Sequence, residues 1–505
     1  MAATDFSRST RPIPTAGQSA VLGRAENRVI WLLLGAAFVA ILNETTMGVA
    51  IPHLIEDLGI TALQAQWLTT AFMLTMAVVI PISGFLLRRF TTRQVYIAAM
   101  SLFSLGTLIA LVSPGFPLLV VARVVQASGT AIMMPLLMTT IMTLVPPHAR
   151  GRMMGRVSVV ISLAPAIGPT VAGLILDTLS WRWIFALVLP IALVALGVGA
   201  RWVHNLGEQT HAPIDIPSVI LSALGFGGLV FGLSQIGGSA AHGTTSAEVA
   251  AEATSRITLI VSLTVGVIAL ALFIWRQLRL QKTDDALLDL RVFRSANFSL
   301  SIAQMGLLSA AFFGIITVIP LYLQGVLGVS AFETGLIGLP GALVMGLTGP
   351  LIGRIYDRWG TRVLLVPGTV IASSMMWFFT TFDDSTSIWA VALGQTILSL
   401  GLAMSFTPLF TASLGSLQPK FYSYGSAVVG TVQQVAGAAG IALMIAIMSA
   451  VQASSLDAGA SAAAAGADGA QAAFRIAAII SLPLLVGAFL IRKPADQIPG
   501  APVGH

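Results

Sequence analysis

Two charged side chains of this 505-residue chain sit well inside long apolar stretches, Glu44 and Arg123, on different stretches and at matching depth. In hydrocarbon each costs roughly 2.5–3.5 kcal/mol to insert, so an acid and a base placed there read as a working pair. A buried carboxylate is tolerable beside a guanidinium, and its proton affinity changes when that partner is withdrawn, which is what a proton switch requires. The plainer reading keeps Glu44 permanently hydrogen-bonded to Asn43, Thr45 or Thr46 while Arg123 snorkels outward. Glu44 lies eight residues before Pro52 and Arg123 six after Pro117. At about 1.5 Å per residue they sit about 12 and 9 Å below one membrane face, so they can meet.

The elements that would hold such a pair follow from composition. With 56% hydrophobic residues, 9% charged residues and a mean hydropathy of +0.90, the chain has more apolar surface than one soluble core can bury. It reads as an all-α polytopic membrane protein. Apolar runs near 29–51, 67–87, 95–113, 118–142, 155–176, 183–203, 216–236, 257–275, 298–322, 335–353, 363–382, 388–412, 425–450 and 473–491 give fourteen transmembrane spans. With the N-terminus inside, 22 of the 26 Lys and Arg residues fall in cytoplasmic segments and three outside, Arg182, Arg256 and Arg475. That bias places both termini in the cytoplasm. The formal charge of +6 is therefore no argument for a nucleic-acid partner. The chain has no cysteine, which excludes disulfides, thiolate metal sites and thiol catalysis. The polar first 27 residues lack a small-residue cleavage pattern, so no secretory signal is expected.

The chain also repeats itself. GFLLRRFTTR at 84–93 superposes without gaps on GRIYDRWGTR at 353–362, an offset of 269 that also carries Gln126 onto Gln395. The expected organisation is a cytoplasmic tail (1–27), a six-helix half (28–204), two inserted helices with a cytoplasmic linker (205–295), a second six-helix half (296–492) and a tail (493–505). The small-residue segments 237–256 and 453–472 are expected to be external loops. Aligning Pro52 with Pro320 sets Phe312 opposite Glu44, and the 269 offset sets Ala392 opposite Arg123, so the charged machinery belongs to the first half alone.

Several segments now resemble the major facilitator superfamily, specifically its fourteen-helix drug:proton antiporters. GRIYDRWGTR resembles the superfamily's cytoplasmic signature, ARVVQASGT (122–130) the helix-4 Arg-x-x-Gln motif, and APAIGPTVAG (164–173) the antiporter motif of helix 5. WRWIF (181–185) and QQVAGAAGIAL (433–443) are similar to the same branch, and LNETTMGVAIP (42–52) with RFTTRQ (89–94) is most similar to the lincomycin-resistance type. The resemblance covers residues 28–492. It implies outward movement of lipophilic drugs, dyes or lipids against inward proton flow, and gating by Asp357, Arg358 and Arg362 with Arg89 and Arg93. Two departures stand out: Asn43 replaces the acid usual in helix 1, with Glu44 following, and Arg88 replaces the acid usual in the first cytoplasmic loop. The resemblance thus implies a latch on one side only, made by Asp357.

Other residues are less specific. Met133, Met134, Met138 and Met142 offer a soft, adaptable surface, although a Met stripe in a bundle is more often packing. Gln126, Gln304, Gln395, Gln433 and Gln434 are candidates for a polar cavity. The expected substrate-facing set is Asn43, Gln126, Met133, Met138, Phe312, Gln304, Gln395 and Gln434. Gly168 and Pro169 allow close helix contact and a bend that limits leak. Six histidines have no metal-ligand spacing and no GxxxxGK[ST] phosphate loop exists, so no metal, catalytic residue or cofactor is expected.

The function expected is a plasma-membrane exporter, monomeric in membrane lipid, that moves small amphipathic or lipophilic molecules by proton antiport through alternating access. The proton motive force drives it, with no enzyme activity. The alternative is a lipid or metabolite transporter or facilitator on the same fold.

Overall fold

In a computed structural model the structure describes residues 23–205, 213–236 and 246–494, and these are all helix and connecting turn. The first six helices are α1 (Arg24–Leu58), α2 (Ala62–Arg89), α3 (Thr92–Val112), α4 (Phe116–Leu144), α5 (Arg150–Thr178) and α6 (Arg182–Trp202). Then come α7 (Ile216–Ile236) and α8 (Ser246–Leu280), followed by α9 (Ala296–Gly325), α10 (Ala331–Trp359), α11 (Arg362–Phe379), α12 (Ile388–Gly415), α13 (Tyr422–Asp457) and α14 (Ala462–Leu490). All fourteen are long and apolar enough to cross a bilayer. Most of the expected tails, 1–22 and 495–505, and the 237–245 part of one expected loop lie outside the described residues.

The internal repeat extends into the helix caps. Thr61 accepts the Gln64 amide and Gln64 returns a bond to Thr61 at the start of α2. Ser330 and Glu333 form the same capping box at the start of α10, shifted by the same 269 residues. Within the first half, α3 packs on α4 and α6, and α1 packs on α5; the second half repeats this with α11, α12, α14, α9 and α13. The halves meet through α5 with α10 and α2 with α13. Helix α7 lies against α2 and α13, one from each half, and α8 packs on α7.

Two segments expected to be loops are helical. Ser246 onward belongs to α8, and 453–472 is the meeting of α13 and α14 across a tight turn at Gly459 (φ +89°). Alanine has the best helix propensity, and Ser461 caps Ala464 at the start of α14, so the small residues extend helices there.

Candidate transport and gating sites

Arg123 is buried in α4, with 1% of its surface exposed. It does not snorkel. Its Nη1 donates to Gln126 Oε1 at 2.7 Å and its Nε to the Leu68 carbonyl on α2 at 3.4 Å. Its guanidinium carbon lies 4.1 Å from the centre of the Phe72 ring. Gln126 Nε2 in turn donates to Thr107 Oγ1 on α3 at 2.8 Å. Gly106 makes this approach feasible, because a Cβ there would sit 2.5 Å from the Gln126 amide nitrogen. The Arg-x-x-Gln spacing is therefore an i, i+3 hydrogen bond, a fixed mount for one cation.

Glu44 stands apart from that mount. It is partly buried on α1 and makes no ion pair with Arg123 within 4.0 Å, although the two charges lie near enough to interact through space. The threonines expected to hold it bond elsewhere: Thr45 donates to the Leu42 carbonyl at 3.0 Å and Thr46 to the Asn43 carbonyl at 3.0 Å. Asn43 is 1% exposed, and neither its amide nitrogen nor its oxygen has a partner among the described residues. Gly168, in the proline-bearing stretch of α5 with Pro169, packs on this turn; a Cβ there would lie 2.2 Å from Thr45 Oγ1. A carboxylate with no hydrogen-bond partner among the described residues, near a cation held by neutral groups, can change protonation without dismantling a network.

The expected substrate-facing set divides. Gln126 is fully buried in the α3–α4 seam, so it mounts Arg123 and lines no cavity. Gln304 is another correction: its Nε2 donates to the Pro483 carbonyl at 3.1 Å in a slot that Gly487 leaves on α14. Met133 and Met138 are buried among core apolar side chains, where their flexible chains fill space. Gln395, Gln434 and Phe312 remain partly open. The Phe312 ring meets Phe406 of α12 at 6.0 Å, and Phe406 meets Phe410 at 6.5 Å. Those two phenylalanines were missed; their i, i+4 spacing was the available signal.

The hydrogen bonds that join the halves among the described residues all lie near the end of the bundle carrying most arginines, the basic end. Asp357, in the last turn of α10, accepts from the Gly151 amide at 2.7 Å and the Arg152 amide at 2.8 Å. These are first-turn N–H groups of α5, which have no partner inside their own helix, and α5 has no side-chain cap of its own. Above this point the helices nearly touch: a Cβ on Gly155 would lie 2.2 Å from the Gly349 carbonyl oxygen. Ser158 and Thr407 hydroxyls pair at 2.9 Å, as do Thr139 and Ser426. On the other side Arg88 Nη1 donates to the Tyr424 hydroxyl at 3.2 Å, and Arg150 Nη2 to Tyr422 at 3.2 Å. Polar contacts between the halves are thus made on both sides, where the resemblance implies a latch by Asp357 on one side only.

Arg358, Arg362 and Arg93, expected in the gate, are exposed at the surface; Arg358 lies over its neighbour Trp359 at 5.2 Å and Arg89 over Phe90 at 5.9 Å. Long cationic side chains at a membrane interface gain more from solvent than from burial. The sequence also gave no warning of the ion pair between Asp215 and Arg276, bidentate at 2.6 Å for each bond. The Arg276 hydrogen bond holds the Asp215 carboxyl down at about 2.

Fourteen spans, two related halves and a sealed seam between them define a multi-pass membrane transporter. The family profile described as Major Facilitator Superfamily matches residues 33–219 and 217–441, so the chain belongs to that superfamily. It is 41% identical to the lincomycin resistance protein LmrB of Listeria monocytogenes, over 84% of this chain and 87% of that one. It is 38% identical to the protein of the same name in Bacillus subtilis, over 91% and 95%. Among solved structures it resembles the human organic anion transporter MFSD10 (TETRAN) with a TM-score of 0.65 at 14% identity, covering 92% of this chain and 99% of that one, a likeness of fold.

Proposed function

We propose that this transporter is a proton-coupled exporter of lipophilic or amphipathic drug-like molecules, acting as a monomer in the plasma membrane with its basic end in the cytoplasm. The carrying observation is the Glu44 carboxylate, which has no hydrogen-bond partner among the described residues and lies within electrostatic reach of the mounted Arg123 cation. Protonation of Glu44 from the external side weakens its hold on Arg123 or on a cationic substrate, and deprotonation inside restores it. Alternating access about the two halves then exchanges proton for substrate. The excess of Lys and Arg at the basic end supports the orientation. The lincomycin-resistance names of two relatives support export of drugs.

Proteoliposomes test the reading. With a lincosamide as substrate, an imposed pH gradient drives accumulation in the wild type; Glu44→Gln loses at least about 90% of the gradient-driven component, the scale of a group needed in every cycle. Glu44→Asp retains part. Wild-type proton movement in the Gln variant sinks the proposal, and gradient-independent uptake by the wild type selects a facilitator.

A further inference from the structure

The connection between α8 and α9 does not behave as a surface loop. Ala286, Leu287, Leu288 and Asp289 are all buried, none more than 4% exposed. Leu287, Leu288 and Val292 belong to the main apolar core of the bundle. At one flank Arg291 gathers the connection by bonding Asp289 at 2.9 Å through Nε and also meeting Asp284. That bond to Arg291 holds the Asp284 carboxyl below its usual range.

From this segment polar contacts run two ways. Towards the gate, the Tyr424 hydroxyl donates to the Ala286 carbonyl at 3.0 Å while accepting from Arg88 at 3.2 Å. One oxygen therefore joins α2 of the first half, α13 of the second and the connection between them. Away from the gate, the Leu288 amide donates to Gln277 Oε1 at 3.1 Å, and Gln277 Nε2 donates to Ser218 Oγ at 2.8 Å. Gln277 and Ser218 are fully buried, and the Asp215–Arg276 pair fixes the same two helix ends beside them. Helix α7 itself lies on α2 and α13, where Trp67 meets Phe231 at 5.7 Å.

We infer that the inserted pair α7–α8 is a strut for the inner gate: through Gln277 it holds the 286–289 segment under α13, and through Tyr424 that segment helps keep α2 and α13 together at the basic end. Opening of that end requires Tyr424 to release Arg88, and the Ala286 carbonyl holds the Tyr424 hydroxyl in place for that bond. Tyr424 and Gln277 are positioning residues for the conformational cycle. The inference rests on the alternating-access reading, but not on proton coupling or on any substrate.

The test uses the full chain, which has no native cysteine. Ser426→Cys places a thiol in the closed seam beside Thr139 and reports opening by its rate of maleimide labelling. Tyr424→Phe keeps the ring and deletes both hydroxyl bonds; loss of bonds of this kind raises the labelling rate about fivefold. Gln277→Met conserves volume, deletes the strut's bonds and raises labelling in the same direction, although it lies on α8. The double variant labels no faster than the faster single variant, because both cut one path. Unchanged labelling in Gln277→Met, or fully additive effects, overturns the strut. A spin-label pair at the exposed positions Thr283→Cys and Arg93→Cys gives a second reading. It shows one narrow distance in the parent and a broadened one in each variant, and an unbroadened distribution in properly folded Gln277→Met also overturns it. Neither readout needs transport, so loss of the proton mechanism would leave this test intact.

Discussion

The turns at 84–93 and 353–362 agree at four of ten positions, and they close the basic end with opposite charges. Asp357 sits at the N-terminus of α5, where backbone N–H groups and the helix dipole favour an anion. Arg88, its counterpart, lies near the start of α13, where the dipole opposes a cation and the N-cap residue Phe421 offers no side-chain cap. It turns instead to the Tyr424 ring, 5.1 Å from its guanidinium carbon, and to that ring's hydroxyl. Asp284 of the connection lies within electrostatic range of Arg88, and Asp289 within range of Tyr424. A duplicated fold keeps the position of a latch more faithfully than its chemistry, and an insertion between the halves can make up the difference.

The largest expected effect comes from Asp357→Asn. An amide keeps one acceptor but loses the charge that two first-turn N–H groups share, a loss of about 2 kcal/mol, or about thirtyfold in the balance between closed and open. A thiol placed at the buried Ser162, which faces α10 near Gly346, reads it as a rise in labelling. Unchanged labelling at Ser162→Cys would show that the glycine contacts alone hold this side.

Arg88 gives the sharper and smaller test. Arg88→Ala raises labelling at Ser426→Cys about fivefold, on the scale of one charged hydrogen bond. Arg88→Asp restores the acid usual in the superfamily, yet it raises labelling further, to about tenfold, because the new carboxylate stands within electrostatic range of Asp284. If Arg88→Asp instead closes the seam more tightly than the parent, the connection's acids are irrelevant and the first turn is only a decayed copy of the second.

Much of the architecture was legible because it rests on patterns that need no partner. Apolar run length gave fourteen spans, and the 269-residue offset of the repeated basic turn recurs in the capping boxes at Thr61 and Ser330. Arg123 was legible as special because burial of a cation is costly wherever its partners come from. What escaped the sequence were the partners. Gln126 and Gln304 have the same chemistry as cavity residues, and only Gly106 and Gly487 on neighbouring helices reveal that each fills a slot. The Ala286–Asp289 segment looks like any short connection until Tyr424 and Gln277, more than a hundred residues apart, are brought to either side of it.

The smallest expected effect tests whether the two sides of the gate are separately supported. Asp215 and Arg276 stabilise only the strut, so Asp215→Asn raises labelling at Ser426→Cys by about twofold, the scale of a partly exposed ion pair, and leaves Ser162→Cys unchanged. The same pair fixes how this contribution depends on pH. The Asp215 carboxyl is lowered from 3.8 to about 2 by the Arg276 and Ser218 hydrogen bonds, so its stabilisation is complete above about 3.8 and disappears as the pH falls through about 2. The Tm difference between the wild type and Asp215→Asn, about 1 °C at neutral pH for a chain of this size, therefore shrinks to nothing across that window. Taking the difference cancels the other carboxylates that titrate with it. A Tm difference that survives below pH 2, or labelling that rises equally at both thiols, would mean that Asp215 acts on the whole bundle and that the strut does not serve the α2–α13 side alone.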